Sequence, residues 1–137
     1  MEEIKLELEK IKEILVADFN PLAIILFGSY ARNTQSKDSD IDIAILSKNT
    51  DKKALFYEKQ KLELDISKDI DLVNIMDENV SDGFKYEILM SGIVIHCTDL
   101  LKFDMLKLDM IREFLDFNEK RQDIIDRVKR GGDIYGK

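Results

Sequence analysis

Leu22-Ala23-Ile24-Ile25-Leu26-Phe27-Gly28-Ser29 and Asp40-Ile41-Asp42-Ile43-Ala44-Ile45-Leu46 decide how this chain folds. The first is an unbroken apolar run closed by a Gly-Ser pair, the pattern of a short strand buried on both faces that stops at a turn. The second alternates acid with isoleucine and then becomes wholly apolar, so it reads as a strand with its acids where it begins. Between them, Tyr30 to Lys37 is polar and predicts a short helical connector.

Working outward, Ile4, Leu8, Ile11 and Leu15 recur at helical spacing among glutamates and lysines. They predict an amphipathic helix over roughly the first eighteen residues, ending before the Asn20-Pro21 breaker. Downstream, Lys52 to Leu64 carries Leu55, Phe56 and Leu62 at helical spacing, and Asp69 to Ile75 reads as a third strand. Glu78 to Met90 suits another helix, and Gly92 a turn into a short edge strand at Ile93-Val94-Ile95. From Asp99 the pattern is helical to about Arg130, with a bend allowed at Asp116 to Asn118 and a stop at Gly131-Gly132. Helices alternating with strands predict a layered α/β domain.

The bulk properties narrow the classes. At 137 residues the chain suits one domain, 1–137, with one core. Its single cysteine, Cys97, excludes an internal disulfide, and no stretch approaches the ~20 apolar residues of a membrane span, so a soluble, cytoplasmic protein is expected. The formal charge of −7 argues against nucleic acid as the main partner, because such binding rests on lysines and arginines displacing counterions from phosphates. The more basic end, Lys120 to Lys137, reads as a solvated helix terminus.

Candidate chemistry sits where the first two strands meet. With 17 aspartates in the chain, about two Asp-x-Asp pairs arise by chance, and three occur: Asp38/Asp40, Asp40/Asp42 and Asp69/Asp71. Order supplies the specificity: apolar strand, Gly-Ser, short connector, then acids opening the next strand. Gly28 lets backbone approach a phosphate closely, while the Ser29 hydroxyl and the free N–H groups of a helix start can donate to its oxygens. Asp40 and Asp42 share one side of a strand, about 6.6 Å apart along it, opposite Ile41, Ile43 and Ile45. Carboxylates so placed can grip a hard cation, and magnesium accepts one or two of them alongside substrate phosphates and water. Asp71 lies within the third strand, where a charge is costly unless paired or neutralised by a metal. It would complete a cluster able to hold two ions about 3.5 to 4 Å apart. Asp69 shares its face but lies at the polar start of the strand, so Asp71 is favoured.

Gly28-Ser29-Tyr30-Ala31-Arg32, Asp40-Ile41-Asp42 and Asp71-Leu72-Val73 resemble the signatures of the DNA polymerase β-like nucleotidyltransferases. The likeness covers a core of about residues 20–97. The ending, with Arg112 to Phe117 on a helix in the segment 99–130, is similar to that of the minimal nucleotidyltransferases paired with HEPN toxins. The resemblance implies a short mixed β-sheet flanked by helices with a C-terminal helical extension. It further implies Mg2+ on Asp40, Asp42 and Asp71, ATP near Gly28 and Ser29, and Arg32 placed to meet the triphosphate. It implies, as the expected function, an antitoxin that transfers AMP from ATP to a tyrosine hydroxyl of a HEPN ribonuclease. Asn33 departs from the pattern, standing where many members have glycine; because asparagine tolerates left-handed backbone angles, the loop should survive.

Two rival functions stand beside this one, and a third, transfer to RNA ends, is disfavoured by the net charge. A transferase for small molecules such as aminoglycosides needs an acidic pocket that so short a chain would have to build by dimerisation. A non-catalytic antitoxin would neutralise its toxin by contact alone. Tyr30 can stack on a base or simply pack; His96 reads as structural, and Phe114, Leu115 and Phe117 as core or partner-facing. The long C-terminal helix is available to a homo- or hetero-oligomeric interface.

Overall fold

The computed structural model describes residues 2–135. After a single 3-10 turn, α1 (Lys5–Phe19) leads into β1 (Ala23–Phe27), α2 (Gly28–Arg32), β2 (Ile41–Leu46), α3 (Lys52–Ile66), β3 (Ile70–Asn74), α4 (Asp82–Ser91), β4 (Ile93–Cys97) and α5 (Leu100–Tyr135). The four strands form one mixed sheet in the order β3-β2-β1-β4. β1 is antiparallel to both β2 and β4, whereas β2 and β3 run parallel. This is the α/β architecture of a short mixed sheet between helices that the sequence predicts.

Every residue of β1 is buried, because both of its faces are covered. On one side Ile24, Leu26, Ile41, Ile43, Ile45 and Ile70 pack with Ile4 of the opening turn, Leu8, Ile11 and Leu15 of α1, and Leu55 and Leu62 of α3. On the other, Ala23, Ile25, Phe27, Ala44 and Leu46 pack with Ile88 and Leu89 of α4 and Phe103 of α5. The period of two in β2 therefore sends its isoleucines to the α1/α3 layer and Asp42, Ala44 and Leu46 to the α4/α5 layer. Tyr86 of α4 stacks on Phe114 of α5, ring centroids 4.4 Å apart, and ties the second layer together. Among the described residues no helix is long and apolar enough to cross a membrane.

Several boundaries differ from expectation for local reasons. The connector helix occupies Gly28–Arg32 rather than Tyr30 to Lys37. It stops because Asn33 adopts the left-handed conformation, φ 57°, and the Thr34 N–H turns back to the Ser29 carbonyl at 2.9 Å. The loop keeps the geometry expected of asparagine there. Residues 76–81 form turns rather than the first turn of α4, since the Ser81 hydroxyl accepts the Phe84 N–H at 3.2 Å and caps the helix there. Strand β4 extends to Cys97. Helix α5 is continuous through Asp116 to Asn118 and carries Gly131-Gly132 inside it. Glycine weakens a helix by about 1 kcal/mol relative to alanine but keeps its N–H, so it need not end one. Phe56, expected on the buried face of α3, is exposed, and Glu58 takes a buried place on that helix.

Glu58 stands beside Asp18, whose carboxylate accepts from Lys61 Nζ at 2.9 Å, and the buried Glu58 Oε1 has no hydrogen-bond partner. Burial, then a hydrogen bond to the neighbouring Asp18 and its charge, pushes the Glu58 carboxyl up to about 7; Asp18 is held low by the bonds from Glu58 and Lys61. A raised acid stabilises the fold fully below its unfolded value of 4.5, and that contribution is lost as pH rises through about 7. Glu58→Gln keeps a donor for Asp18 without the charge. It should therefore be more stable than the parent at pH 8 by about 1–2 kcal/mol, with the gap closing by pH 5. Urea titrations at the two pH values check this, and a gap independent of pH would remove the Glu58 titration as its cause.

Candidate active site

The site lies where β1 hands over to α2, beside the first residues of β2 and β3. Gly28 makes the turn with φ 72°, in the left-handed region, and its α-carbon lies so close to Asp42 that a Cβ built on it would overlap the Asp42 carboxylate. Phe27 pairs with Asp42 across the antiparallel β1–β2 ladder, and Asp42 pairs with Asp71 across the parallel β2–β3 ladder. The two carboxylates thus point from neighbouring strands to the same face. Asp40 lies just before β2 and is exposed, in a loop where the Ser36 N–H donates to the Ser39 hydroxyl at 2.8 Å. Ser29 is half-buried in the first turn of α2, whose opening N–H groups have no intrahelical acceptor.

The electrostatics single out Asp42. Burial first, then the charges of Asp71 and Asp40, push its carboxyl up to about 6, while Arg32 opposes the shift. Three acids and one arginine therefore sense one another, with negative charge in excess. Arg32 extends from the last turn of α2 towards Glu87 of α4, 3.7 Å away, with both side chains largely exposed. On α4, Phe84 packs edge-on against Phe27, centroids 5.6 Å apart, and forms an aromatic shoulder on the Asp42 side of the sheet.

The donor chemistry fits a hard cation: oxygen ligands on one face, with a surplus of negative charge that a cation would offset. Among the described residues no three His, Cys, Asp or Glu side chains converge closely enough to enclose a metal as they stand. Asp40 and Asp71 are exposed, and neither forms an ion pair among the described residues, so both side chains are free to turn.

The structure thus brings Gly28, Ser29, Arg32, Asp40, Asp42 and Asp71 into one region. Asp69 lies one step outward, with Asp40, Glu63 and Lys68 around a separate surface hollow. Tyr30 packs: it is 3% exposed in the α1/α3 core, with its hydroxyl 3.3 Å from Lys68 Nζ. Sequence reasoning missed Asn74, which is 3% exposed at the end of β3. Its amide donates to the carbonyls of Ser47 and Thr50 and its oxygen accepts from the Ser47 and Met76 N–H groups. It thereby fastens the loops after β2 and β3, and an asparagine closing an apolar strand was the available signal. Glu87 was missed too, because a glutamate on an exposed helix carries no signal of its partner.

The profile of the family described as "Polymerase beta, Nucleotidyltransferase" matches residues 9–100. Protein adenylyltransferase MntA of Shewanella oneidensis is 47% identical over 53 residues, a segment spanning 38% of this chain and 38% of that relative's length. A crystal structure of a toxin–antitoxin with AMP-PNP contains a chain 31% identical, with TM-score 0.75, over 88% of this chain and 96% of that one. The structure of a tri-AMPylated Shewanella oneidensis HEPN toxin in complex with MNT antitoxin gives 28% identity and TM-score 0.72 over 90% and 97% of the two chains. Because the profile spans the whole sheet and both aspartate-bearing strands, this chain belongs to the polymerase beta nucleotidyltransferase family.

Proposed function

We propose that the chain is a Mg2+-dependent adenylyltransferase that moves AMP from ATP to a tyrosine hydroxyl of a HEPN-type partner protein, acting as the antitoxin to that partner. The observation that carries this reading is the close packing of Gly28 against Asp42, with Asp71 in register on the neighbouring strand. It puts a phosphate-accommodating turn against an acidic pair. Support for ATP and for the acceptor comes from the AMP-PNP bound in one similar structure and the AMPylated HEPN toxin held in another.

Asp40, Asp42 and Asp71 would hold the cation, which when bound supplies Lewis-acid activation of the acceptor hydroxyl and charge neutralisation on the phosphates. Gly28 and the α2 N–H groups would receive the triphosphate, and Ser29 Oγ would donate to it. Arg32 would exchange Glu87 for a phosphate oxygen. The acceptor oxygen bonds to the α-phosphorus, the bond from that phosphorus to the bridging oxygen breaks, pyrophosphate leaves, and the hydroxyl proton passes to Asp71 or to water.

Intact-mass spectrometry of the chain with the HEPN-type protein of its own genome, ATP and Mg2+ tests the reading. The partner should gain about 329 Da per AMP, EDTA should abolish the gain and excess Mg2+ restore it. An unchanged partner mass under these conditions, with the two proteins still bound, would overturn the protein-modifying reading in favour of a contact antitoxin or a transferase whose small-molecule acceptor is absent from the mixture.

A further inference from the structure

The parallel pairing of β3 leaves it as one edge of the sheet, and this edge is open next to Asp71. The Ile41 N–H takes the Asp69 carbonyl at 3.0 Å and the Ile75 N–H takes the Ile45 carbonyl at 2.9 Å. The odd-numbered backbone groups of β3 therefore face β2, and those of Ile70, Leu72 and Asn74 face outward. The outward Ile70 N–H is capped by Glu63 Oε2 at 3.1 Å. Among the described residues no side chain or loop backbone takes the N–H of Leu72. A groove of about 360 Å3 runs along this edge, with Asp71 in its wall. Lys52, Phe56 and Lys59, at i, i+4 and i+7 of α3, form one flank, and the loop residues Asp77 and Asn79 the other.

We propose that this groove docks the acceptor as an extended polypeptide segment, with the hydroxyl to be modified at Asp71 and acidic side chains reaching Lys52 and Lys59. The inference rests on the protein-modifying reading above and names how that partner is held. An open strand edge recognises main chain, through bonds that only an extended segment can return. The groove is basic along its α3 flank, where Lys52 and Lys59 lie, and acidic at Asp71 and Asp77, so acidic side chains of a bound segment are complemented on the α3 side, away from Asp71. Phe56, 57% exposed at the centre of that flank, offers an aromatic face to whatever lies there. A hydroxyl delivered along β3 reaches Asp71 from outside the sheet, on the side away from Gly28 and α2, so acceptor and triphosphate do not compete for space.

The test compares the parent, Lys52→Glu/Lys59→Glu and Phe56→Ala in AMP transfer to the HEPN-type protein, varying acceptor and ATP separately. Lys52 and Phe56 are exposed and Lys59 is half-buried, and thermal melts confirm that the variants fold. The expected result is a rise in the KM for the acceptor of about tenfold or more, with kcat and the KM for ATP unchanged within about twofold. A photo-cross-linking residue at position 56 should capture the segment carrying the modified hydroxyl, whereas one at Leu64, 85% exposed on α3, should not. If the parent transfers AMP but the acceptor KM is unchanged in the variants, or position 64 captures that segment as well as position 56, the docking proposal falls and the enzymatic reading stands. The same holds if the lysine variant loses only solubility, which would make these lysines guards against edge-to-edge aggregation. A parent that modifies no protein overturns both.

Discussion

Asp42→Asn should lower AMP transfer by roughly a thousandfold or more while leaving the chain folded and, above pH 7, more stable than the parent. The loss follows from chemistry: a neutral amide is a poor ligand for a hard cation, and Asp42 is the acid that contacts Gly28 and pairs in register with Asp71. The stability gain follows from the sign of its titration. Asp42 is raised from 3.8 to about 6, so its favourable contribution is complete below 3.8 and is lost as pH rises through 6. At pH 8 the ionised carboxylate is held against Asp71 and Asp40, and the amide removes that repulsion. With the group partly open to solvent, the gain should be about 1 kcal/mol, vanishing near pH 4. Mg2+ should raise the melting temperature of the parent and not that of the variant. Melts at pH 5 and pH 8, each with and without Mg2+, check all of this. A variant that melts lower at both pH values would show that Asp42 serves the fold instead.

How much of this could be read from residues alone differs by element. β1 and β2 were legible because burial on two faces leaves an unbroken apolar run, and a half-polar opening leaves an alternation, as in Asp40 to Leu46. The sequence also placed Asp42 and Asp71 on strands, but their shared face depends on β2 and β3 being parallel and in register, which no single strand encodes. The ends of α2 and α4 were set by single hydrogen bonds, from Thr34 to Ser29 and from Phe84 to Ser81, weaker than the composition trends that suggested other limits. Phe56 illustrates a further limit. Its position in α3 is one step from Leu55, and helical spacing cannot tell which of two adjacent apolar residues faces the sheet. Asn74 and Glu58 are buried polar groups whose partners come from distant segments, so only the folded chain shows them.

Gly28→Ala should cost both stability and activity, although it removes no ligand. Two penalties combine. An L-residue at φ 72° is strained by about 1–2 kcal/mol, and the new methyl overlaps the Asp42 carboxylate and its Cγ. Relief requires either Asp42 to swing away from Asp71 or the start of α2 to lift from β2, and both displace the groups that would meet the triphosphate. Transfer should fall by about a hundredfold or more, and stability by about 2–4 kcal/mol. The two penalties separate in an Asp42→Ala background. There the overlapping carboxylate is gone and only a tight contact with the position-42 Cβ, 3.1 Å away, is left, so adding Gly28→Ala should cost little beyond the backbone strain, and the double-mutant cycle should show a coupling of about 1–2 kcal/mol between positions 28 and 42. Equal costs in both backgrounds would mean that Gly28 is needed only for its backbone angle. In that case its contact with Asp42 would not be what sets the acid in place, and the contact could no longer carry the reading of this site as a phosphate turn built against a metal-binding carboxylate.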